Sequence, residues 1–348
     1  MPTPTSQKES PLDFPWSEPP EPATGIEVAP GVNWVRMPLP FALDHINLWV
    51  LEGADGLVLV DSGFESSLTQ EIWARLFDSA FSGKRPQRLI CTHHHPDHMG
   101  LAGWLMETYG IPLSTTQKEW DAYHLWSRLK PDAVTEMMGQ FYKRGGVSGD
   151  RQEIDLRRRK DMSSRERISP EGFECIRNAD EIDIGGQAWT VNIGTGHSPE
   201  LAALFRVKDK VLISGDQVLP KISPNVSVMP FALDSDPLKD FLESLDHFRQ
   251  LPSDTLVLPS HKLPFYGLHD RIDALKAHHM ERLDDALSAC SESVTAAQAT
   301  KVLFPRALTD HQYFFALGET LAHLNYLWRN KKVSREEDGE GTFLFKRL

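Results

Sequence analysis

The segment Cys91-Thr-His-His-His-Pro-Asp-His-Met-Gly100 constrains this chain more than any other. It follows a short apolar strand, Arg88 to Cys91, and leads into a helical stretch from Asp97 to Tyr109, closed by Gly110. His93 and His95 are two residues apart, so in an extended segment both rings project to one side. Asp97 and His98 then fall at the turn into the helix. Four imidazole and carboxylate donors at one strand end form a ligand set for Zn²⁺, Fe²⁺ or Mn²⁺. Cys91 adjoins that set and reads as core.

One strand end cannot fill two coordination shells, and the chain offers more donors in equivalent places. His197 lies in GTGHSPE after the strand 188–193. Asp216 lies in SGDQVLP after 211–213, and His261 in LPSHKLPF after 255–258. Each is the first His or Asp after an apolar strand, in a loop containing Gly, Ser or Pro, where scaffolds carry functional groups. His124, His278, His279 and His323 fall on helical stretches and read as helix-face residues. Ser198 adjoins His197 in sequence, which is poor geometry for a nucleophile and its base.

Around these loops, short strands alternate with helices, the pattern of an α/β layered core. The strands Val32 to Met37, Ile46 to Leu51 and Leu57 to Val60 come first, the last two joined by a turn at Gly53-Ala-Asp-Gly56. A helix from Ser66 to Ser82 follows. Residues 1–24 are rich in Pro, Ser, Glu and Thr and read as an extended or disordered arm, with Phe14 and Trp16 able to pin it to a surface, such as that of a partner subunit. The α/β domain spans 25–268. Within it, 117–175 interrupts the rhythm with an amphipathic helical stretch and a charged run, and reads as a helical, lid-like insertion. From 269 to 348 three helices and a terminal β-hairpin suggest a winged-helix-like module.

The composition is that of a globular protein, with 40% hydrophobic and 25% charged residues among 348. A net charge of −12 disfavours a nucleic-acid partner, since phosphate binding needs a cationic face. Three cysteines without C-x-x-C spacing point to reduced thiols and a cytoplasmic setting. No basic leader precedes an apolar core at the start, and no apolar run approaches the roughly 18 residues of a membrane helix.

In these motifs the chain resembles the metallo-β-lactamase superfamily, over about 30–265: H-x-H-x-D-H stands as HHHPDH, with LVDSG at Asp61, His197, Asp216 and His261 in the family's order. The resemblance implies an αββα sandwich with metals at one edge, between two sheets. It implies that His93, His95 and His197 hold one divalent ion, that Asp97, His98 and His261 hold the other, and that Asp216 bridges them. Asp61 would support the histidines of the first ion. Zn is the favoured metal, with Fe or Mn open. Two ions about 3.5–4 Å apart would share a hydroxide that attacks the substrate, with Asp97 orienting it or taking its proton and Asp216 as the second catalytic carboxylate.

Asp at 216 resembles the glyoxalase II, esterase and lactonase branches more than the antibiotic β-lactamases with Cys there. Leu219 stands where acyl-homoserine lactonases carry Tyr, which disfavours a lactone. Trp126, Met137, Met138 and Phe141 would line an acyl pocket, and Arg157, Arg158, Arg159 and Lys160 would meet the phosphates of a coenzyme A-like group. The expected activity is therefore hydrolysis of an ester or thioester small-molecule substrate by a protein that could pair as a homodimer. A lactonase or a metal-dependent phosphodiesterase or ribonuclease is the alternative. A non-catalytic DNA-binding role is disfavoured, because His311 to Asn330 has few basic residues and resembles a packing helix.

Overall fold

The computed structural model describes residues 12–41, 43–147, 149 and 172–348. The basic run at 157–160 lies outside them. The first sheet has seven strands in chain order: β1 (Ile26–Ala29), β2 (Val32–Pro38), β3 (His45–Glu52), β4 (Leu57–Val60), β5 (Pro86–Ile90), β6 (Leu113–Thr115) and β7 (Glu174–Cys175). The first four form an antiparallel meander, and β4 to β7 run parallel. Parallel neighbours need crossovers. Helix α1 (Ser67–Asp78) links β4 to β5, and α2 (Pro96–Met99) with α3 (Ala102–Tyr109) links β5 to β6. Helices α4 (Gln117–Arg128) and α5 (Pro131–Gly145) follow β6.

The second sheet has the order β12 (Leu256–Pro259), β11 (Val211–Gly215), β10 (Leu201–Arg206), β9 (Gln187–Gly194), β8 (Glu181–Ile184). Only β11 and β12 are parallel, and α6 (Pro237–Phe248) joins them. The two sheets face each other across a layer containing Trp34, Trp49, Trp189, Ile213 and Leu258. The outer face of the first sheet packs against α1 and α3 through Leu48, Trp73 and Leu105, and that of the second against α6 through Leu212, Phe241 and Leu245. The layers are therefore αββα.

The C-terminal part comprises α7 (Leu268–Ala289), β13 (Val294–Thr295), α8 (Ala296–Leu303), α9 (Asp310–Arg329) and a hairpin of β14 (Val333–Glu337) and β15 (Phe343–Arg347). Strand β13 adds a third member to the hairpin, in the order β13-β15-β14, which the sequence pattern alone did not suggest. Capping boxes at Thr295 with Gln298 and at Thr309 with Gln312 start α8 and α9. The buried faces of α7 and α9 share one apolar cluster with α5 and α6.

Two expectations change, and a third is met within the chain itself. The stretch from Asp97 to Tyr109 is two helices, because the Leu101 N–H leaves the helical ladder for Gly63 O and Ser62 Oγ, both at 3.1 Å. Met138 and Phe141 do not line an acyl pocket: both are fully buried, in the cluster that includes Phe314 and Leu317. From Leu12 the N-terminal arm lies on its own chain, where Asp13 bridges to Tyr266 and the Phe14 ring sits 6.3 Å from that of Phe265. Among the described residues no helix is long and apolar enough to cross a membrane.

Candidate metal centre

The loops that matter leave the carboxyl ends of five strands. Asp61 follows β4, His93 to His98 follow β5, Asp216 follows β11 and His261 follows β12. His197 follows β9. Because β4 and β5 are parallel, and β11 and β12 likewise, these ends lie side by side at one edge of the sandwich.

There the side chains converge in three overlapping groups: His93, His95 and His197; His93, His98 and Asp216; Asp97, His98 and His261. His93 Nε2 lies 3.0 Å from His95 Nδ1 and 3.3 Å from His197 Nε2. Asp216 faces both sides. Its Oδ1 is 3.4 Å from His261 Nε2 and 3.6 Å from His98 Nε2, while its Oδ2 is 3.5 Å from His197 Nε2. Asp97 Oδ2 is 3.5 Å from His261 Nε2 and 3.8 Å from His98 Nε2. All seven residues singled out in the sequence are thus together.

The orientation of each ring has a cause. His197 Nδ1 donates to the carbonyl of Asn225 at 2.8 Å, and His261 Nδ1 to that of His45 at 2.9 Å. Both rings therefore turn Nε2 inward. Asn47, on β3, clamps the His261 loop by donating to Pro259 O and Lys262 O. His98 Nδ1 meets Asp61 Oδ2 at 2.8 Å, and Asp61 Oδ1 also accepts from the Thr92 N–H at 2.7 Å. Asp61 therefore supports His98, not the His93, His95 and His197 group as expected, and reaches that group only through Thr92, whose hydroxyl is 3.1 Å from His93 Nδ1. Asp61 has φ +65°, a left-handed conformation that Asp tolerates better than most residues.

The charges are lopsided. Burial and the neighbouring imidazoles push His93 and His95 well below the ordinary histidine value. Burial also opposes charging His98, yet Asp61, Asp97 and Asp216 hold it well above that value. Burial opposes ionising Asp216, but His261 and His98 hold its carboxyl well below the usual range. His98 Nε2 and Asp216 Oδ1 are buried at the centre without a hydrogen-bond partner. Donors around a tetrahedral zinc with bonds of about 2.0–2.1 Å lie roughly 3.3 Å apart, the spacing of His93, His95 and His197. Imidazole and carboxylate donors, inward-facing partnerless atoms and concentrated negative charge all fit divalent cations.

Sequence reading missed Glu119, on α4. It is fully buried and faces His94 and Ser198. Its signal, Thr116-Gln-Lys-Glu119, is the pattern of a capping box. Half of that box forms, with Thr116 Oγ1 accepting from the Glu119 N–H, while the carboxylate turns to the loops of the centre. The Ser198 hydroxyl donates to Glu119 at 2.7 Å, so it ties the His197 loop to α4.

Residues 42–261 match the family model of the metallo-beta-lactamase superfamily, and 283–348 match that of the metallo-beta-lactamase-like C-terminal domain. A probable metallo-hydrolase of Bacillus subtilis, YqjP, is 25% identical over 323 residues, 90% of this chain and 97% of that protein. The crystal structure of a beta-lactamase domain protein from Burkholderia ambifaria superposes with a TM-score of 0.89 at 39% identity, covering 98% of this chain and 99% of that one. A metallo-beta-lactamase family protein from Thermus thermophilus gives 0.77 at 28% identity, covering 92% and 100%.

Proposed function

The chain belongs to the metallo-β-lactamase superfamily, and on that premise we propose that it is a hydrolase of esters or thioesters working at a centre of two divalent ions. The observation that carries this reading is Asp216, whose two oxygens face the two histidine groups from between them. His93, His95 and His197 would hold one ion and Asp97, His98 and His261 the other, with Asp216 serving both. When bound, such ions supply Lewis acidity, which polarises a carbonyl oxygen and makes water nucleophilic near neutral pH. Zinc is the proposed ion, and Fe²⁺ or Mn²⁺ would suit the same donors.

The chain's own residues do the rest. Asn225 and His45 fix ring tautomers through their carbonyls, and Asp61 does so through its carboxylate. Asp97 is the most exposed carboxylate of the group, at 19%, and stands where it would orient a water and take its proton. An apolar acyl group has a surface to lie on. Phe41 stacks edge-on against Phe64 at 5.3 Å and lies 6.3 Å from His311, which is 5.0 Å from Phe315. Phe41 and Phe315 are 48% and 38% exposed. This row starts three residues beyond Asp61. It ends where the Phe315 carbonyl meets Ser227, itself bonded to Asn225 behind His197.

The test is turnover of a short acyl-CoA thioester by zinc-loaded protein, beside Asp216→Ala. Turnover that falls at least a thousandfold in the variant, together with its zinc content, supports the reading. Absence of turnover in protein carrying two zinc ions removes the thioester class and leaves esters, lactones and phosphodiesters. Full activity in the variant overturns the centre itself.

A further inference from the structure

We infer that Glu119 is a positioning residue of the metal centre, a single carboxylate that sets the separation between the two loops carrying His93, His95 and His197. The inference rests on reading those histidines as ligands, and adds a residue that none of the ligand motifs contains. Glu119 Oε2 accepts from the His94 N–H at 3.0 Å and from His94 Nδ1 at 2.6 Å. Its Oε1 accepts from Ser198 Oγ and from the Glu200 N–H, both at 2.7 Å. His94 sits between His93 and His95, and Ser198 is next to His197. One rigid group therefore grips the backbone beside all three ligands, with one oxygen for each loop.

The chemistry explains why the residue is an acid. Four donors point at it, and only an ionised carboxylate offers acceptor capacity at both ends. A buried charge persists only where hydrogen bonds replace its water, and here all four do. A glutamine of the same size would serve one loop and turn an NH₂ group towards the donors of the other. The fold already has other ties between these segments, Ala202 N–H to Thr92 O at 2.8 Å and Thr116 Oγ1 to Glu200 O at 3.0 Å. What Glu119 adds is contact with the neighbours of the ligands, across the 3.3 Å gap between His93 Nε2 and His197 Nε2.

The experiment measures zinc affinity of the metal-free full-length chain by competition with a chromogenic chelator, for wild type, Glu119→Gln, Ser198→Ala and His93→Ala, with folding followed by circular dichroism. Folded Glu119→Gln is expected to bind zinc about 10–100-fold more weakly, the range for groups that orient ligands. Its kcat falls while KM stays near wild type. Ser198→Ala, which removes one of the four bonds, moves affinity the same way by a few-fold. Wild-type affinity in folded Glu119→Gln, even with a lowered melting temperature, overturns the inference and leaves a structural brace. Should Glu119→Gln not fold, Ser198→Ala decides: at least threefold weakening supports the inference, and wild-type affinity overturns it. His93→Ala separates the two levels. Zinc loss there beside an unaffected Glu119→Gln overturns the role of Glu119 alone, whereas wild-type binding there overturns the ligand reading as well.

Discussion

At the residue scale, the donors could be read from the sequence because each follows an apolar strand, and strand ends in such a core have few places to go. The supporting residues could not. Asn225 and His45 act through backbone carbonyls, which carry no side-chain signature. Asp61 was legible as a supporter but not its target, since LVDSG does not say which ring lies opposite. With its carboxylate on His98, Asp61→Ala should weaken zinc in the Asp97, His98 and His261 group about 10–100-fold and spare the other group. Zinc stoichiometry by atomic emission checks this: one retained ion is expected, and two would refute it. Asp61→Asn should fold better than Asp61→Ala, because Asn also accepts the left-handed backbone, which costs Ala about 1 kcal/mol. Chemical denaturation of the two variants measures that difference.

At the scale of elements, strands and most helices were legible from apolar spacing, yet spacing does not name the neighbour. The apolar face of α5 is as consistent with a ligand pocket as with a helix–helix contact, and Met138 and Phe141 turn out to face α9. The first turn of α4 is a sharper case: its Thr-x-x-Glu spacing is a local signal overridden by four distant donors. The Phe41, Phe64, His311 and Phe315 row joins a hairpin tip, a loop and a helix start that lie far apart in the chain, so no local pattern reveals it. If acyl chains lie along it, Phe41→Ala should raise KM about tenfold for a long-chain thioester, as losing roughly 1.4 kcal/mol of apolar contact would, and leave an acetyl thioester unchanged. Equal KM ratios for both substrates would remove the row from the binding surface.

At the scale of the whole molecule, the C-terminal helices are part of the enzyme's core. Helix α9 brings Glu319 to the rear of the centre, where it is half-buried, accepts from Asn225 Nδ2 at 3.4 Å and lies near Arg282 of α7. Burial raises its carboxyl to about 7, with Arg282 and Asn225 opposing. The neutral acid is the form the fold favours. Its contribution is whole below the unfolded value near 4.5 and is lost as pH rises through 7. Glu319→Gln should therefore match wild type in stability near pH 4 and exceed it by up to about 3 kcal/mol above pH 8, as read by urea denaturation. A difference that does not grow with pH would show that Glu319 ionises freely. Nearby, burial and the adjacent imidazoles lower His279 to about 3. It stays neutral on folding, so its contribution is present above about 6.5 and fades as pH falls.

The order of the ligand loops along the chain has a consequence for biosynthesis. His93 to His98 leave the ribosome early, but the residue that closes the set, His261, follows β12, the last strand of the second sheet. Closing so long a segment is entropically costly until the intervening strands have paired. A nascent polypeptide therefore has no complete cation cage to nucleate around, and capture of metal is a late event that reports a finished sandwich. Metal starvation would then leave folded but inert protein rather than aggregates, a reserve that later supply can switch on.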